Sequence, residues 1–150
     1  MTTVLDKGLK LVALDREGLH ALSAHLQNSC VVAGDIVWLA KQGRVVVKMM
    51  RYDWAGAKSG ADERVGAVLR FDRVTRVSKL GEFAPEGAMN LIGMRFEKTD
   101  APSGLVILAF EDGGVLRLDV ECVEAELSDI GPRAPACECR GHHLTHPETV

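Results

Sequence analysis

Aromatic side chains and histidines are scarce in this chain of 150 residues. Phenylalanine, tryptophan and tyrosine make up only 5% of it, and no histidine stands between His25 and His142. The core must therefore be built from aliphatic side chains, and the middle of the chain lacks the commonest general base of enzymes. A nucleophile elbow, a helical pair of zinc-binding histidines and a dinucleotide-binding fingerprint are also missing. Together these absences make an enzyme the less favoured expectation.

Long apolar runs and a strong charge of one sign are lacking as well. No stretch approaches the ~20 apolar residues that a membrane span requires. The opening MTTVLDKGLKLVAL has neither the basic start nor the apolar run of a secretion signal. The net charge of −3 gives no general attraction to nucleic acid or anionic lipid. We therefore expect a cytoplasmic protein that binds neither nucleic acid nor membrane.

The cysteines do not suggest a disulfide framework. Two of the four, Cys30 and Cys122, stand singly among aliphatic residues. A reduced thiol in such surroundings behaves as a small buried apolar side chain, so both are expected to be reduced.

One amphipathic helix is predicted over residues 16 to 27. Asp15 precedes it and can cap the free N–H groups of its first turn. Three leucines recur at helical spacing and should form one buried stripe: Leu19, Leu22 and Leu26.

Further along, the hydrophobic period changes to two. IVWLAKQGRVVVKMMRY predicts a hairpin that turns at Gln42-Gly43, and LVILAFEDGGVLRLDVECV predicts another around Asp112-Gly113-Gly114. Between the hairpins, VGAVLRF and MNLIGMRFEK alternate as strands do, whereas WAGAKSGADE has the composition of a surface loop. EAELSDIGP is expected to form a turn or two of helix ended by Gly131 and Pro132.

These elements predict a single α+β domain over residues 1–132. About six strands without intervening helices favour an antiparallel sheet, curled or closed into a small β-barrel, with the N-terminal amphipathic helix packed on it. Residues 133–150 contain only two large apolar side chains, Leu144 and Val150. We expect them to form a flexible C-terminal tail.

Arg51, Asp53 and Trp54 at the end of a predicted strand are the best candidates for ligand binding. An ion pair beside an indole ring can bind a ligand at a barrel mouth, or it can simply close that mouth. Closure fits the sequence better, and ligand binding stays open.

Two charged runs are weaker candidates: a basic run, interpreted as a solvated strand face, and an acidic patch whose paired carboxylates could do acid–base work. The basic run lacks the interleaved aromatic residues that binding of single-stranded nucleic acid requires; it comprises Arg64, Arg70, Arg73, Arg76 and Lys79. The acidic run shows no sign of a buried catalytic pair; it comprises Glu121, Glu124, Glu126 and Asp129.

The tail segment CECRGHHLTH contains the residue types of a metal site. Its possible ligands for zinc or copper are Cys137, Cys139, His142 and His146. The two cysteines have only one residue between them, where structural zinc sites usually have two to four. We therefore expect no cofactor in the folded domain, and metal binding by the tail is a minor alternative.

Six segments, in order, resemble a known family: LKLVALDREGLHALSAHLQNS, VVAGDIVWLAK, RYDW, VLRFDRVTRV, NLIGMRF and VLRLDVECVEAELSDIG. They are similar to domain-of-unknown-function family 2948, small cytoplasmic proteins found mainly in alphaproteobacteria. The resemblance runs from Leu9 to Gly131 and implies no activity and no site residue. The cysteines and histidines of the tail lie beyond it, so the common domain is expected to work without them.

The sequence thus favours a noncatalytic binding module for an unknown protein or small-molecule partner. The alternative is an accessory enzyme that acts on a phosphorylated metabolite through arginines and carboxylates in a barrel mouth.

Overall fold

The computed structural model describes residues 8–136. The nine strands are β1 (Lys10–Ala13), β2 (Ser29–Leu39), β3 (Arg44–Tyr52), β4 (Glu63–Phe71), β5 (Val74–Leu80), β6 (Ala88–Lys98), β7 (Gly104–Phe110), β8 (Val115–Val120) and β9 (Ala125–Pro135). The two α-helices are α1 (Arg16–Leu26) and α2 (Trp54–Lys58), and a 3-10 turn, Ala40–Gln42, joins β2 to β3.

All nine strands form one antiparallel sheet in the order β1-β9-β4-β3-β2-β6-β7-β8-β5. The two end strands, β1 and β5, do not pair with each other, so the sheet is not closed. Helices account for only 15% of the structure. The expected α+β class with a curled sheet or small barrel is therefore wrong, because the protein is mostly one open antiparallel sheet.

Helix α1 was predicted to within one residue. The Asp15 carboxylate accepts a hydrogen bond of 2.8 Å from the Gly18 N–H, and the three leucines of the predicted stripe are buried. However, α1 follows β1 and spans only 11 residues. The expected architecture, an N-terminal helix packed on a sheet, is thus wrong: α1 is one small element that connects β1 to β2 along the chain.

Both predicted hairpins are confirmed, by the antiparallel pairs β2–β3 and β7–β8. The segment after Val123 is instead strand β9, so the short helix expected there is wrong. Alternate residues of β9, Ala125 and Leu127, are buried, which is the period of a strand. Gly131 and Pro132 lie inside β9, where its pairing with β4 is irregular, and proline is tolerated at such a bulge.

Strand β9 continues past residue 132, the expected end of the domain, to Pro135. The Ala136 N–H then donates to the Asp62 carbonyl oxygen at 2.9 Å. Residues 137–150 lie outside the described part, so the expectation of a flexible tail stays a prediction.

The core is aliphatic, as the scarcity of aromatic residues predicts. A single cluster of buried side chains includes residues from α1 and from strands in both halves of the sheet. Phe71 and Phe110 are the buried aromatic side chains of the described residues.

The two cysteines of the described part differ. Cys122 is a free, partly exposed thiol. Cys30 is disulfide-bonded, so the expectation that it is a reduced, solitary thiol is wrong.

Gly66 permits a close approach of two backbones. It lies on β4 opposite Met50, at the irregularity in the pairing with β9. A Cβ atom added to Gly66 would collide with the Gly131 carbonyl oxygen of β9. A backbone oxygen cannot move aside as a flexible side chain can, so the contact of β4 with β9 depends on glycine here.

Gly66→Ala should therefore lower the free energy of unfolding by about 2 kcal/mol, as overpacking of a dense interior does. Gly114→Ala is the matched control, because a Cβ there would make an ordinary contact of 3.5 Å with Phe83. Urea unfolding of both variants measures the difference, and equal midpoints would contradict the assigned role of Gly66.

Candidate functional site

Arg51 on β3 forms a buried ion pair with Asp129 on β9. Its Nε and Nη2 atoms lie 2.7 Å from the two carboxylate oxygens, and the side chains are only 5% and 4% exposed. Strand β4 lies between β3 and β9, so the long arginine side chain spans a whole strand to reach its partner. A bidentate ion pair of this kind fixes both the distance between the two side chains and their relative orientation.

The same carboxylate also holds the chain before β1. Asp129 accepts a second bond at Oδ2, 2.8 Å from the Leu9 N–H, and its own N–H donates to the Leu9 carbonyl oxygen at 2.9 Å. The remaining Arg51 nitrogen, Nη1, donates to the Tyr52 carbonyl oxygen at 3.4 Å. Arg51 and Asp129 thus join β3, β9 and the start of β1.

Asp53 caps helix α2, which occupies the first half of the expected loop. Its carboxylate accepts from the Gly56 N–H at 3.0 Å and from Arg133 Nη1 at 2.9 Å. Burial alone would raise the pKa of Asp53, but the bonds from Gly56 and Arg133 outweigh burial and hold that pKa below its ordinary value. Asp53 and, at 3.3 Å, Glu63 raise the pKa of Arg133 in turn.

Trp54 is the first residue of α2 and is partly exposed. Its indole N–H donates to the Gln27 carbonyl oxygen at 2.9 Å, and its ring stands edge-on to Tyr52 with 4.8 Å between centroids. The Tyr52 hydroxyl donates to the Asp62 carboxylate at 2.7 Å, which raises the pKa of the tyrosine. The aromatic pair therefore anchors α2 to the segment after α1.

The structure brings Arg51, Asp53 and Trp54 to one end of the sheet, but the two charged residues do not pair with each other. Each has a partner on β9, Asp129 or Arg133, so this arrangement can attach the last strand to β3 and α2. Sequence reasoning missed both partners because it assigned them to a short helix and to the tail. Ligand binding by the three predicted residues stays a prediction, and Trp54 offers the most open surface of the three.

A second group of charges, here named the ion chain, crosses the same half of the sheet. Each neighbouring pair has opposite signs and lies within 3.2 Å. In order, its members are Lys10, Glu126, Arg70, Asp72 and Arg44. The predicted basic and acidic runs meet here and neutralise each other in part, a pairing that required knowledge of the strand order.

The ion chain perturbs two carboxylates. Burial alone would raise the pKa of Asp72, but hydrogen bonds and charge from Arg44 and Arg70 outweigh it and lower that pKa. The pKa of Glu126 is lowered first by its hydrogen bond with Lys10 and also by the charge of Arg70. Both acids are therefore stabilised in the charged form.

An open hollow of about 700 Å³ lies beside the ion chain. Four cations line it, which are Lys41, Arg44, Arg70 and Arg73. Three carboxylates oppose their charge, those of Asp72, Glu121 and Glu124. Arg73 Nε lies 3.4 Å from Glu124, and its Nη1 lies 3.8 Å from Glu121. An anion entering this hollow would therefore compete with carboxylates that already hold the guanidinium groups.

Strand β5 is the longer of the two end strands. It pairs with β8 on one side, and its first residue is tied to the 3-10 turn by a bond of 2.9 Å from the Val74 N–H to the Gly43 carbonyl oxygen. No strand of the described part pairs with the other side of Thr75–Leu80. An end strand presents alternate N–H and C=O groups outward, so this edge can add a further strand.

Within residues 8–136 no group of three or more histidine, cysteine or acidic side chains could hold a metal ion. The predicted tail ligands, Cys137, Cys139, His142 and His146, lie outside the described residues, so zinc or copper binding stays a prediction. None of the helices in the described part is long and apolar enough to cross a membrane.

Comparison with known proteins identifies one family. The family model described as protein of unknown function (DUF2948) matches residues 9–143 and confirms the resemblance seen in the sequence. The match continues beyond Gly131, so the expectation that the cysteines of the tail lie outside it is wrong. No curated protein and no solved structure matches this chain.

Arg51→Ala should lower the free energy of unfolding by about 3–5 kcal/mol, because it leaves the charge of Asp129 buried and unpaired. The double variant Arg51→Met, Asp129→Leu should lose less than Arg51→Ala, because no charge remains. Arg95→Ala is the control: its pair with Glu97 is exposed and should contribute less than about 1 kcal/mol. Urea unfolding measures all three, and a stable Arg51→Ala variant would refute the structural role.

The ion chain should make stability depend on pH. The pKa of Asp72 is lower in the folded than in the unfolded protein, so its contribution is present above about pH 4 and is lost as pH falls through the folded pKa. Asp72→Asn should lower the free energy of unfolding by about 1 kcal/mol at neutral pH and weaken its decline in acid. Urea unfolding across acidic pH measures this, with Asp112→Asn in an exposed turn as control. An unchanged pH profile would contradict the assignment.

Proposed function

The chain belongs to the DUF2948 family, and we propose that it is a noncatalytic binding module that takes up an extended segment of a partner protein at the edge of β5. The observation that carries this proposal is the open side of β5 over Thr75–Leu80. Natural sheets usually shorten, bend or cover such edges, because an uncovered edge pairs with other chains. Strand β5 does have a shift of register between Val74 and Arg76 and exposed cations, but no strand of residues 8–136 covers its outer side, so that side is available to a partner strand.

Strand addition suits what β5 provides. Main-chain hydrogen bonds supply affinity in this mode of recognition, and side chains on alternate faces supply specificity. Val77 packs against the core and fixes the inner face of the strand, whereas Arg76 and Leu80 are exposed. The strand is thus held firmly by the protein while its outer groups remain accessible.

A second candidate function uses the polar hollow beside the ion chain. Its size, about 700 Å³, and its lining by Lys41, Arg44 and Arg73 favour an accessory enzyme acting on a phosphorylated metabolite. All three arginines that line the hollow, Arg44, Arg70 and Arg73, lie within 4.0 Å of a carboxylate, which opposes anion binding. The open edge is therefore preferred.

The proposal places the protein in the bacterial cytoplasm, in keeping with the small cytoplasmic proteins that the sequence resembles. The disulfide at Cys30 points the other way, because stable disulfides are rare in the cytosol. The oxidation state of Cys30 in living cells distinguishes the two locations.

The proposal is tested by selecting binders from a displayed library of random extended peptides with the full-length chain. A selected peptide should slow amide hydrogen exchange in Thr75–Leu80, because the added strand protects the outward N–H groups. Val12→Lys on the other end strand is the control and should leave binding unchanged. Failure to select any peptide, or protection elsewhere without protection of β5, would refute the proposed function.

A further inference from the structure

The outer face of the sheet beside β5 carries an arginine without a partner. Arg117 on β8 makes no side-chain hydrogen bond or ion pair within residues 8–136. Arg95 occupies the same cross-strand row on β6, with Ile107 of β7 between them, but it is paired with Glu97 at 2.9 Å. Each arginine has a carboxylate two residues further along the same strand face, Glu97 or Asp119, but Asp119 pairs with Arg76 of β5 instead of with Arg117.

Register places the small residue Ser78 of β5 directly beside Arg117. A strand added to β5 would continue this row, with one of its side chains opposite Ser78 and two strand spacings, about 10 Å, from the Arg117 backbone. Arg51 bridges an equivalent separation, from β3 across β4 to Asp129 on β9. A carboxylate on the added strand could meet Arg117 above Ser78 in the same manner.

The charges of β5 also favour an added strand that carries carboxylates. The strand VTRVSKL contains two cations, Arg76 and Lys79, and no acid. Arg76 is 75% exposed although it lies 3.0 Å from Asp119, and Lys79 is also exposed. Pairing of β5 with β5 of a second copy would bring cations together with no carboxylate on either strand, which disfavours self-association through this edge.

We propose that the segment added to β5 is an acidic extended peptide, with a glutamate or aspartate opposite Ser78 that pairs with Arg117. This inference rests on the proposed function and specifies the chemistry of its partner. Arg117 determines specificity through charge, while the main chain of β5 contributes the general affinity. Arg76 and Lys79 add attraction for further acidic side chains.

The test uses three fluorescein-labelled decapeptides of alternating sequence: threonine with glutamate, with glutamine or with lysine. Fluorescence anisotropy with the full-length chain should show the glutamate peptide binding about fivefold more tightly than the glutamine peptide, and the lysine peptide most weakly. Added salt should remove most of the difference between them. Hydrogen exchange should place the bound glutamate peptide at Thr75–Leu80.

The matched variants are Arg117→Gln and Arg95→Gln. Arg117→Gln should weaken the glutamate peptide about fivefold and leave the glutamine peptide unchanged, whereas Arg95→Gln should affect neither. Urea unfolding checks that both variants fold, and an equal loss of affinity in both would overturn the role of Arg117.

Other outcomes separate this inference from the proposed function. If neutral peptides, selected or synthetic, protect β5 as well as the glutamate peptide does, the acidic partner is wrong and the binding module stands. If no peptide protects β5, both fail. Slow exchange of the outward N–H groups of Thr75–Leu80 in the free chain, or a dimer in sedimentation velocity that protects those groups, would show another occupant of the edge and overturn the inference.

Discussion

The buried pair of Arg51 and Asp129 is the interaction on which the arrangement of this sheet depends. It joins strands that are not neighbours, and the same carboxylate fixes the backbone of Leu9 before the first strand. Two charges removed from water are tolerated only when nearly all their hydrogen-bonding groups are satisfied, which is the case here. The close contact of β4 with β9 at Gly66 brings β9 near enough to β3 for the Arg51 side chain to reach Asp129 across β4. The buried ion pair therefore depends on the local irregularity in the pairing of β4 with β9.

Most other charges in that half of the protein are also matched internally. Lys10, Glu126, Arg70, Asp72 and Arg44 alternate in sign along the ion chain, and Asp53 holds Arg133. Because these charges pair with each other within the protein, little net charge remains there to attract a charged partner. The opposite end of the sheet differs, since Arg117 has no ion-pair partner within residues 8–136 and the charged side chains of β5 are both cations. The unpaired positive charge of Arg117 thus lies beside the open edge of β5, where main-chain groups are also available.

Local features could be predicted from the sequence, whereas long-range ones could not. Asp15 and the spacing of three leucines were sufficient for α1, and the turns at Gly43 and Gly113 were sufficient for two hairpins. Strand β9 was missed because Gly131 and Pro132 resemble a helix end, although the alternation of Ala125 and Leu127 indicated a strand. That error removed Asp129 and Arg133 from the candidate site. Strand order depends on contacts between distant segments, for which a single sequence provides no local signal.

The position of β9 also affects how the molecule forms. Lys10 pairs with Ser128, so the first strand must wait for a segment more than a hundred residues later before it gains its neighbour. Strand β4 likewise keeps one side open until β9 arrives, because β9 lies between it and β1. Closing so large a loop is slow, and a nascent chain would expose both strands during synthesis. Until β9 has left the ribosome, β1 and β4 therefore each expose to chaperones an unpaired edge that β9 covers in the folded protein.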